Sequence, residues 1–247
     1  MPYIDFSGKK IMVFGGDSGI GKQTAVSLDR LGAKLVLVGR NKDRLTQAKA
    51  ELNPSADHAV IPYDVKNTDG CKELFDRAVA DGQKLSGLVY CAGIAKAVPL
   101  RVMSASEYQN IFSVNFFGFV NAVSVFAKRK YNAGGSIVGI SAANAHYPQK
   151  CMTLYAASKA AVEAAVTTMA LELAEQNIRI NAVVPGAVAT PMSYRIDKDT
   201  LDMIVSRQLL GIQSPEQIAD SIIFLLSERS NAITGRSLYV DGGMLGQ

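Results

Sequence analysis

Lys10-Ile11-Met12-Val13-Phe14-Gly15-Gly16-Asp17-Ser18-Gly19-Ile20-Gly21-Lys22 runs an apolar strand into a glycine turn and the start of a helix. Glycines there let the backbone bend tightly and a phosphate approach, while free N–H groups opening the helix attract an anion. A bare strand-to-helix turn does not need so many glycines. Gly15, Asp17, Ser18, Gly19, Ile20 and Gly21 are therefore read as a phosphate-binding loop for a nucleotide. The same alternation continues downstream. Apolar runs over 35–39, 58–62, 86–91, 136–140, 178–184 and 237–240 are interleaved with helical patterns over 42–52, 68–79, 106–130, 153–175, 197–209 and 215–226. Strands and helices joined by short connections require right-handed crossovers and a parallel sheet covered on both faces. The expectation is an α/β, doubly wound sheet in one domain spanning 1–247, with a substrate-loop segment near 192–211.

The 247 residues are 48% hydrophobic and 19% charged, enough for one large core. Net charge is +4, from 26 Lys plus Arg against 22 Asp plus Glu, and the excess is spread along the chain. That distribution argues against a nucleic-acid footprint or a basic membrane patch. The longest run of apolar residues and glycine, Gly87 to Ala95, is far below the roughly 20 residues of a membrane span. The opening Met1-Pro2-Tyr3-Ile4-Asp5 has no basic region followed by an apolar one, so a cytoplasmic protein is expected. Cys71, Cys91 and Cys151 form no CxxC pair, and His58 and His146 are far apart, so no metal site is expected.

The end of the second strand speaks to the nucleotide. Dinucleotide folds place a carboxylate there to accept the ribose 2′-hydroxyl of NAD(H), whereas an arginine suits the 2′-phosphate of NADP(H). The chain reads Gly39-Arg40-Asn41-Lys42, with no carboxylate following until Asp43. A guanidinium clamps a phosphate bidentately, so Arg40 favours NADP(H), with NAD(H) as the alternative.

Tyr155-Ala156-Ala157-Ser158-Lys159 opens an Ala-rich helix, and i, i+4 spacing puts phenol and ammonium on one face. A nearby ammonium favours phenolate and lowers tyrosine's ordinary pKa of about 10, which suits proton donation to a carbonyl oxygen near neutral pH. A second copy, Tyr194 with Lys198, reads as a chance occurrence after Pro191. Only Tyr155 follows an apolar strand ending in a serine, Ile137-Val138-Gly139-Ile140-Ser141. That places it at the carboxyl ends of parallel strands, where open α/β sheets bind ligands.

With Gly15…Gly19-Ile20-Gly21, Tyr63-Asp64-Val65, Ala92-Gly93, Val114-Asn115, Tyr155…Lys159, Ile180-Asn181-Ala182-Val183-Val184-Pro185-Gly186 and Tyr239-Val240-Asp241-Gly242-Gly243 in this order, the chain resembles the short-chain dehydrogenase/reductase family over essentially its whole length. The resemblance implies a seven-stranded Rossmann sheet and an NAD(P)-dependent oxidoreductase, commonly a homotetramer. It implies Tyr155 as general acid/base, Lys159 holding the nicotinamide ribose and tuning Tyr155, and Asn115 anchoring a water that relays protons through Lys159. It further implies that Asp64 and Val65 flank the adenine, that Ala92, Gly93, Pro185 and Gly186 line the coenzyme, and that Val188 and Thr190 meet the nicotinamide carboxamide.

The chain departs from the family pattern at four places. Phe14 stands where threonine is usual, and no basic residue occupies position 18. Tyr90-Cys91 replaces two asparagines whose amides brace the sheet, and Cys91 reads as a small buried hydrophobe. The family serine lies 13 residues before the tyrosine, a position held by Ala142. Either the 142–152 loop carries an extra residue and Ser141 takes the role, which is the preferred reading, or the hydroxyl is lost. Losing one oxyanion donor costs roughly 10²–10³ in rate, although Asn144 or His146 could partly substitute.

The substrate pocket is expected from 95–98, 142–152 and 192–211, with His146, Gln149, Met152 and Met192 contacting a small carbonyl or alcohol. The expected reaction is hydride transfer between NADP(H) and a ketone or alcohol. Two alternatives stand beside it. One is reduction of 3-oxoacyl chains on a carrier protein, with Lys128-Arg129-Lys130 as a docking patch; the other is a dinucleotide-binding sensor or scaffold with impaired chemistry. Phe116, Phe117, Phe119, Val162, Ala165 and Met169 give two helices apolar residues on more than one face, which suggests burial against further copies in a homotetramer.

Overall fold

The apolar runs extend as seven strands in a computed structural model that describes residues 3–246. Met1 and Pro2 of the opening segment lie outside the described residues. The strands are β1 (Lys10–Phe14), β2 (Lys34–Gly39), β3 (Ala59–Pro62), β4 (Leu85–Tyr90), β5 (Asn132–Ile140), β6 (Ile178–Pro185) and β7 (Ser237–Val240). They pair in the order β3-β2-β1-β4-β5-β6-β7, every pairing parallel. The order reverses at β1, which pairs with both β2 and β4, so a crevice opens where their carboxyl ends part.

Between them run α1 (Gly19–Arg30), α2 (Lys42–Ala50), α3 (Cys71–Ala78), α4 (Ala105–Phe112), α5 (Gly118–Phe126), α6 (Thr153–Leu173), α7 (Lys198–Val205) and α8 (Pro215–Leu226). Successive strand residues point to opposite faces, and β1 to β6 feed two cores, one on each side of the sheet. Ile11, Val13, Leu35 and Leu37 pack with Leu28 of α1, Leu45 of α2 and Ile222 of α8. Met12, Phe14, Val36 and Val38 belong to the other core, with Phe75 of α3, Phe119 of α5 and Val166 of α6.

Of the positions that depart from the family pattern between β1 and β4, Phe14 and Tyr90 are rings packed against each other and their neighbours, while Cys91 is a small side chain. Phe14 and Tyr90 stand 5.3 Å apart, Tyr90 and Phe119 5.5 Å, and Phe75 and Tyr131 5.4 Å. Tilted and edge-on contacts of this kind add to area burial. Phe119 and Val162 are fully inside this core, so they are not part of a surplus apolar face. Phe117 is exposed, and its ring sits beside Phe112 and Phe116.

Two elements differ from the sequence expectation for local reasons. β5 begins at Asn132 rather than 136, because Gly134 and Gly135 hide the strand signature, and its register with β4 shifts between Leu85 and Gly87. The helix expected over 106–130 is interrupted by a π turn at Ser113–Phe117. There the Gly118 N–H donates to the Ser113 carbonyl instead of to Val114, and the Tyr90 hydroxyl donates to the Val114 carbonyl at 2.7 Å. Gly118 is needed at this crossing, since any Cβ would collide with the Tyr90 hydroxyl.

His58 is fully occupied within the fold: Nδ1 accepts from Leu35 N–H at 3.1 Å and Nε2 lies 2.9 Å from Asp29 Oδ1. Among the described residues no cluster of three or more potential metal ligands occurs, and no helix is long and apolar enough to cross a membrane. Tyr90→Phe keeps the ring but leaves the buried Val114 carbonyl without that donor. The expected cost is about 1–2 kcal/mol, seen by calorimetry as a Tm lower by roughly 2–8 °C. An unchanged Tm would remove the hydroxyl from this account.

Candidate active site

Gly15 and Gly16 N–H groups both donate to the Val38 carbonyl, at 2.8 and 3.3 Å, folding the loop over the end of β2. Gly15 adopts φ +73°, and a Cβ there would lie 3.0 Å from Ala92 N, so the loop rests on the backbone after β4. Ser18 precedes α1 without capping it, and the first turn of α1 carries no acidic side chain. The leading N–H groups of the helix are thus left to an anion. On the far side, a Cβ at Gly19 would meet Thr190 Cγ2 at 3.3 Å.

The 186–190 segment is pinned by residues the sequence did not single out. Ser193 Oγ accepts from Thr190 N–H at 3.1 Å and donates to the Val188 carbonyl at 2.5 Å. Gln208 Oε1 accepts from Ala187 N–H, and the Gln213 carbonyl accepts from Ala189 N–H at 2.9 Å. Loop residues of ordinary type, they are marked only by burial. Gly186 N–H donates to Val240 O at 3.3 Å, following Pro185 at the end of β6. Val65 is buried, while Asp64 is exposed and accepts from Lys66 N–H at 3.1 Å.

Arg40 is exposed beyond β2. The corner that the sequence leaves without a carboxylate before Asp43 does receive one: Asp17 of the glycine loop. Its Oδ1 lies 3.1 Å from the place a Gly39 Cβ would occupy, and its Oδ2 is 3.2 Å from Arg44 Nε. Uncapped amides over a glycine turn, a carboxylate and a guanidinium at the end of β2 and a bare surface at Gly93 fit a dinucleotide. A Cβ on Gly93 would sit 3.4 Å from Lys159 Nζ and 3.6 Å from Asn115 Oδ1.

Tyr155 and Lys159 share a face of α6, with Nζ 5.9 Å from the phenol ring centroid. Lys159 is buried and its Nζ donates to the Ile140 carbonyl at 2.8 Å. Desolvation presses its pKa from the ordinary 10.5 down to about 8. Desolvation also pushes Tyr155 up to about 12, opposite to the lowering expected from the sequence. The physical reason is that dehydration of the phenolate dominates, while the ammonium, 5.9 Å from the ring centroid, is already turned to a carbonyl. Among the described residues none hydrogen-bonds the Tyr155 hydroxyl, which leaves it open to a reacting oxygen.

Asn115 comes from the π turn, and its side chain is fully engaged. Oδ1 accepts from Ile94 N–H at 2.8 Å, while Nδ2 donates to Ile94 O and to Ser158 Oγ, both at 3.0 Å. It clamps the loop after β4 onto α6. Ser141 is buried, and its hydroxyl lies 2.6 Å from Glu163 Oε1 and 3.1 Å from the Lys159 carbonyl. Both acceptors belong to α6. Ala142 follows it, also buried.

His146 is tied up in the same cluster: Nε2 lies 3.0 Å from Glu163 Oε1 and 3.3 Å from the Tyr239 hydroxyl. The Asn144 side-chain amide is buried without a hydrogen-bond partner among the described residues. Gln149 and Met152 are half-buried before α6, and Met192 is exposed. Tyr194 is exposed and Lys198 pairs with Asp202 at 2.7 Å, so the second Tyr/Lys copy stands on the surface.

Comparison with known proteins agrees with this arrangement. Residues 15–245 match a family profile described as "Enoyl-(Acyl carrier protein) reductase". The chain is 34% identical to glucose 1-dehydrogenase of Gluconobacter oxydans, over 98% of this chain and 94% of that protein. It is 33% identical to a 3-oxoacyl-acyl-carrier-protein reductase of Thermotoga maritima, over 96% and 98%. A short-chain type dehydrogenase/reductase from Mycobacterium marinum superposes with a TM-score of 0.91 at 27% identity, covering 98% of each chain. The chain belongs to the short-chain dehydrogenase/reductase family. It is an oxidoreductase acting on alcohol or carbonyl groups, in a family that uses NAD(P)(H).

The buried lysine makes a pH test. Its folded pKa is depressed, so the fold favours the neutral amine. The cost of burying the ammonium is fully present below about pH 8 and fades as pH climbs toward 10.5. Lys159→Met should therefore raise Tm by a few degrees at pH 7, with the gap to the parent closing near pH 10. A lower Tm at pH 7 would mean that the Ile140 hydrogen bond outweighs the burial cost.

Proposed function

We propose that this chain is an NADP(H)-preferring carbonyl reductase or alcohol dehydrogenase for small substrates, with Tyr155 as general acid/base. The observation that carries the reading is Tyr155 and Lys159 on one face of α6, beside Gly93 and Asn115 at the carboxyl edge of the sheet. When bound, the coenzyme supplies or takes the hydride. Raised to about 12 by burial, Tyr155 stays protonated across the neutral range and is ready to donate to the substrate oxygen. Lys159, with its charge shared between the cleft and the Ile140 carbonyl, supports the anionic side of that transfer. Asn115 fixes the floor between Ile94 and Ser158. NADP(H) is favoured over NAD(H) by Arg40 and by Arg44, both exposed beside the end of β2.

Ser141, directed into α6, acts in this reading by holding the Lys159 backbone rather than by polarising substrate. Site chemistry without the usual hydroxyl at 142 also favours the second reading, a dinucleotide-binding sensor with weak turnover. Carrier-protein docking through Lys128-Arg129-Lys130 has less support. That run precedes β5 at the amino edge of the sheet, and Lys130 pairs with Asp76 of α3.

Two variants separate these readings in a ketone panel with NADPH. Tyr155→Phe should lower turnover by roughly 10²–10⁴ while NADPH still binds; undiminished turnover would sink the catalytic assignment. Ser141→Ala should lower kcat less than about tenfold, whereas a loss of roughly 10²–10³ would restore Ser141 as the oxyanion donor. The rings of Phe112, Phe116 and Phe117, with the exposed Phe117 and Leu171, support a homotetramer in the cytoplasm, where the three free cysteines stay reduced. Light scattering that returns the 26.4 kDa monomer mass would rule the tetramer out.

A further inference from the structure

We infer that Asp17 and Arg44 form a two-way reader of the adenosine 2′ position. The carboxylate accepts a hydrogen bond from the 2′-hydroxyl of NAD(H), and the guanidinium, still paired with the carboxylate, takes the 2′-phosphate of NADP(H). This rests on the dinucleotide reading above and deepens it.

Three observations place the pair there. Gly15 and Gly16 are hydrogen-bonded to the Val38 carbonyl, which holds the next residue, Asp17, over the end of β2. Gly39 has no side chain, and the Asp17 carboxylate occupies the space beside it, 3.1 Å from where a Cβ would project. The corner in which such folds carry an acidic group from the strand is thus supplied from the opposite wall, by the loop.

Arg44 then decides what that carboxylate does. It is fixed at the start of α2, where its own N–H donates to the Asn41 side chain at 2.9 Å. Its Nε lies 3.2 Å from Asp17 Oδ2, and the Arg44 side chain is 47% exposed against 15% for Asp17. The more buried partner is the acid and the more exposed one is the base. A bare carboxylate would repel a phosphate at this corner, but a guanidinium presents five donors in a fork and can bridge a carboxylate and a phosphate together. The other charges near the corner are Arg40, Lys42 and Asp43, all exposed; Arg40 adds to phosphate attraction without touching Asp17 in the structure.

The test is direct binding, with no turnover involved. Dissociation constants for NADPH and NADH are measured by calorimetry on the parent protein, Arg44→Ala, Asp17→Asn and Arg40→Ala. Adenosine 2′,5′-bisphosphate and 5′-AMP serve as fragments that report the 2′ group alone. Arg44→Ala should shift the NADPH-over-NADH preference toward NADH by about tenfold, and Asp17→Asn should shift it toward NADPH by more than about threefold. The fragments should follow in the same directions. Any result other than shifts in opposite directions by at least about threefold overturns the pair as the reader, including one in which Arg40→Ala alone moves the preference. A parent protein that prefers NADH would reject the NADP(H) preference proposed above, while the two shifts still judge the pair. A parent that binds neither nucleotide rejects the dinucleotide reading itself.

Discussion

Everything at the centre of this molecule depends on a lysine ammonium kept in a place water does not reach. Lys159 is held at both ends by the end of β5 and the residue after it: its Nζ donates to the Ile140 carbonyl, and its own carbonyl accepts from the Ser141 hydroxyl. These contacts fix the rotation of α6 about its axis, and with it the direction of Tyr155. Burial makes the charge expensive, which shows in a pKa near 8. A site that carries such a group trades stability for chemistry, as functional sites with strongly shifted groups commonly do.

The second constraint is packing at the root of the glycine loop. Where the resemblance leads one to expect hydroxyl and amide side chains between the first and fourth strands, this chain has rings, with Phe14 and Tyr90 5.3 Å apart. One polar function survives in that replacement. The Tyr90 hydroxyl takes the Val114 carbonyl that the π turn releases, and the turn in its place presents Asn115 to Ile94 and Ser158. An apolar cluster and a helical irregularity are therefore one device: the rings fill the space, and the single hydroxyl keeps the irregularity satisfied.

Much of this was legible in the residues. Continuous apolar runs and the glycine turn pointed to the sheet and its crevice, and α8 and β7 match their expected limits at Pro215–Leu226 and Ser237–Val240. The i, i+4 phenol and ammonium were visible because a helix turns spacing directly into proximity. What escaped was whatever depends on contacts between distant segments. The π turn leaves no mark in a pattern of hydrophobicity, since Ser113 to Phe117 read as ordinary helix. The early start of β5 is hidden by Gly134 and Gly135. The carboxylate beside Gly39 comes from Asp17, more than twenty positions upstream. The sign of the Tyr155 shift was misread because spacing reveals the neighbouring charge but not the lost hydration. The roles of Ser193, Gln208 and Gln213 appear only once the chain has folded back on itself.

The strand order also has a bearing on how the molecule comes into being. β3, β2, β1 and β4 are contiguous in the sheet and all lie before Cys91 in the chain. During synthesis from the amino end, these four strands are translated before β5 or the helix bearing Tyr155. β5, β6 and β7 lie outward from β4 in the order of their translation, so each has as its neighbour a strand made before it. An order of this kind lets the sheet be extended one edge at a time, with the helix that bears Tyr155 translated after the first five strands.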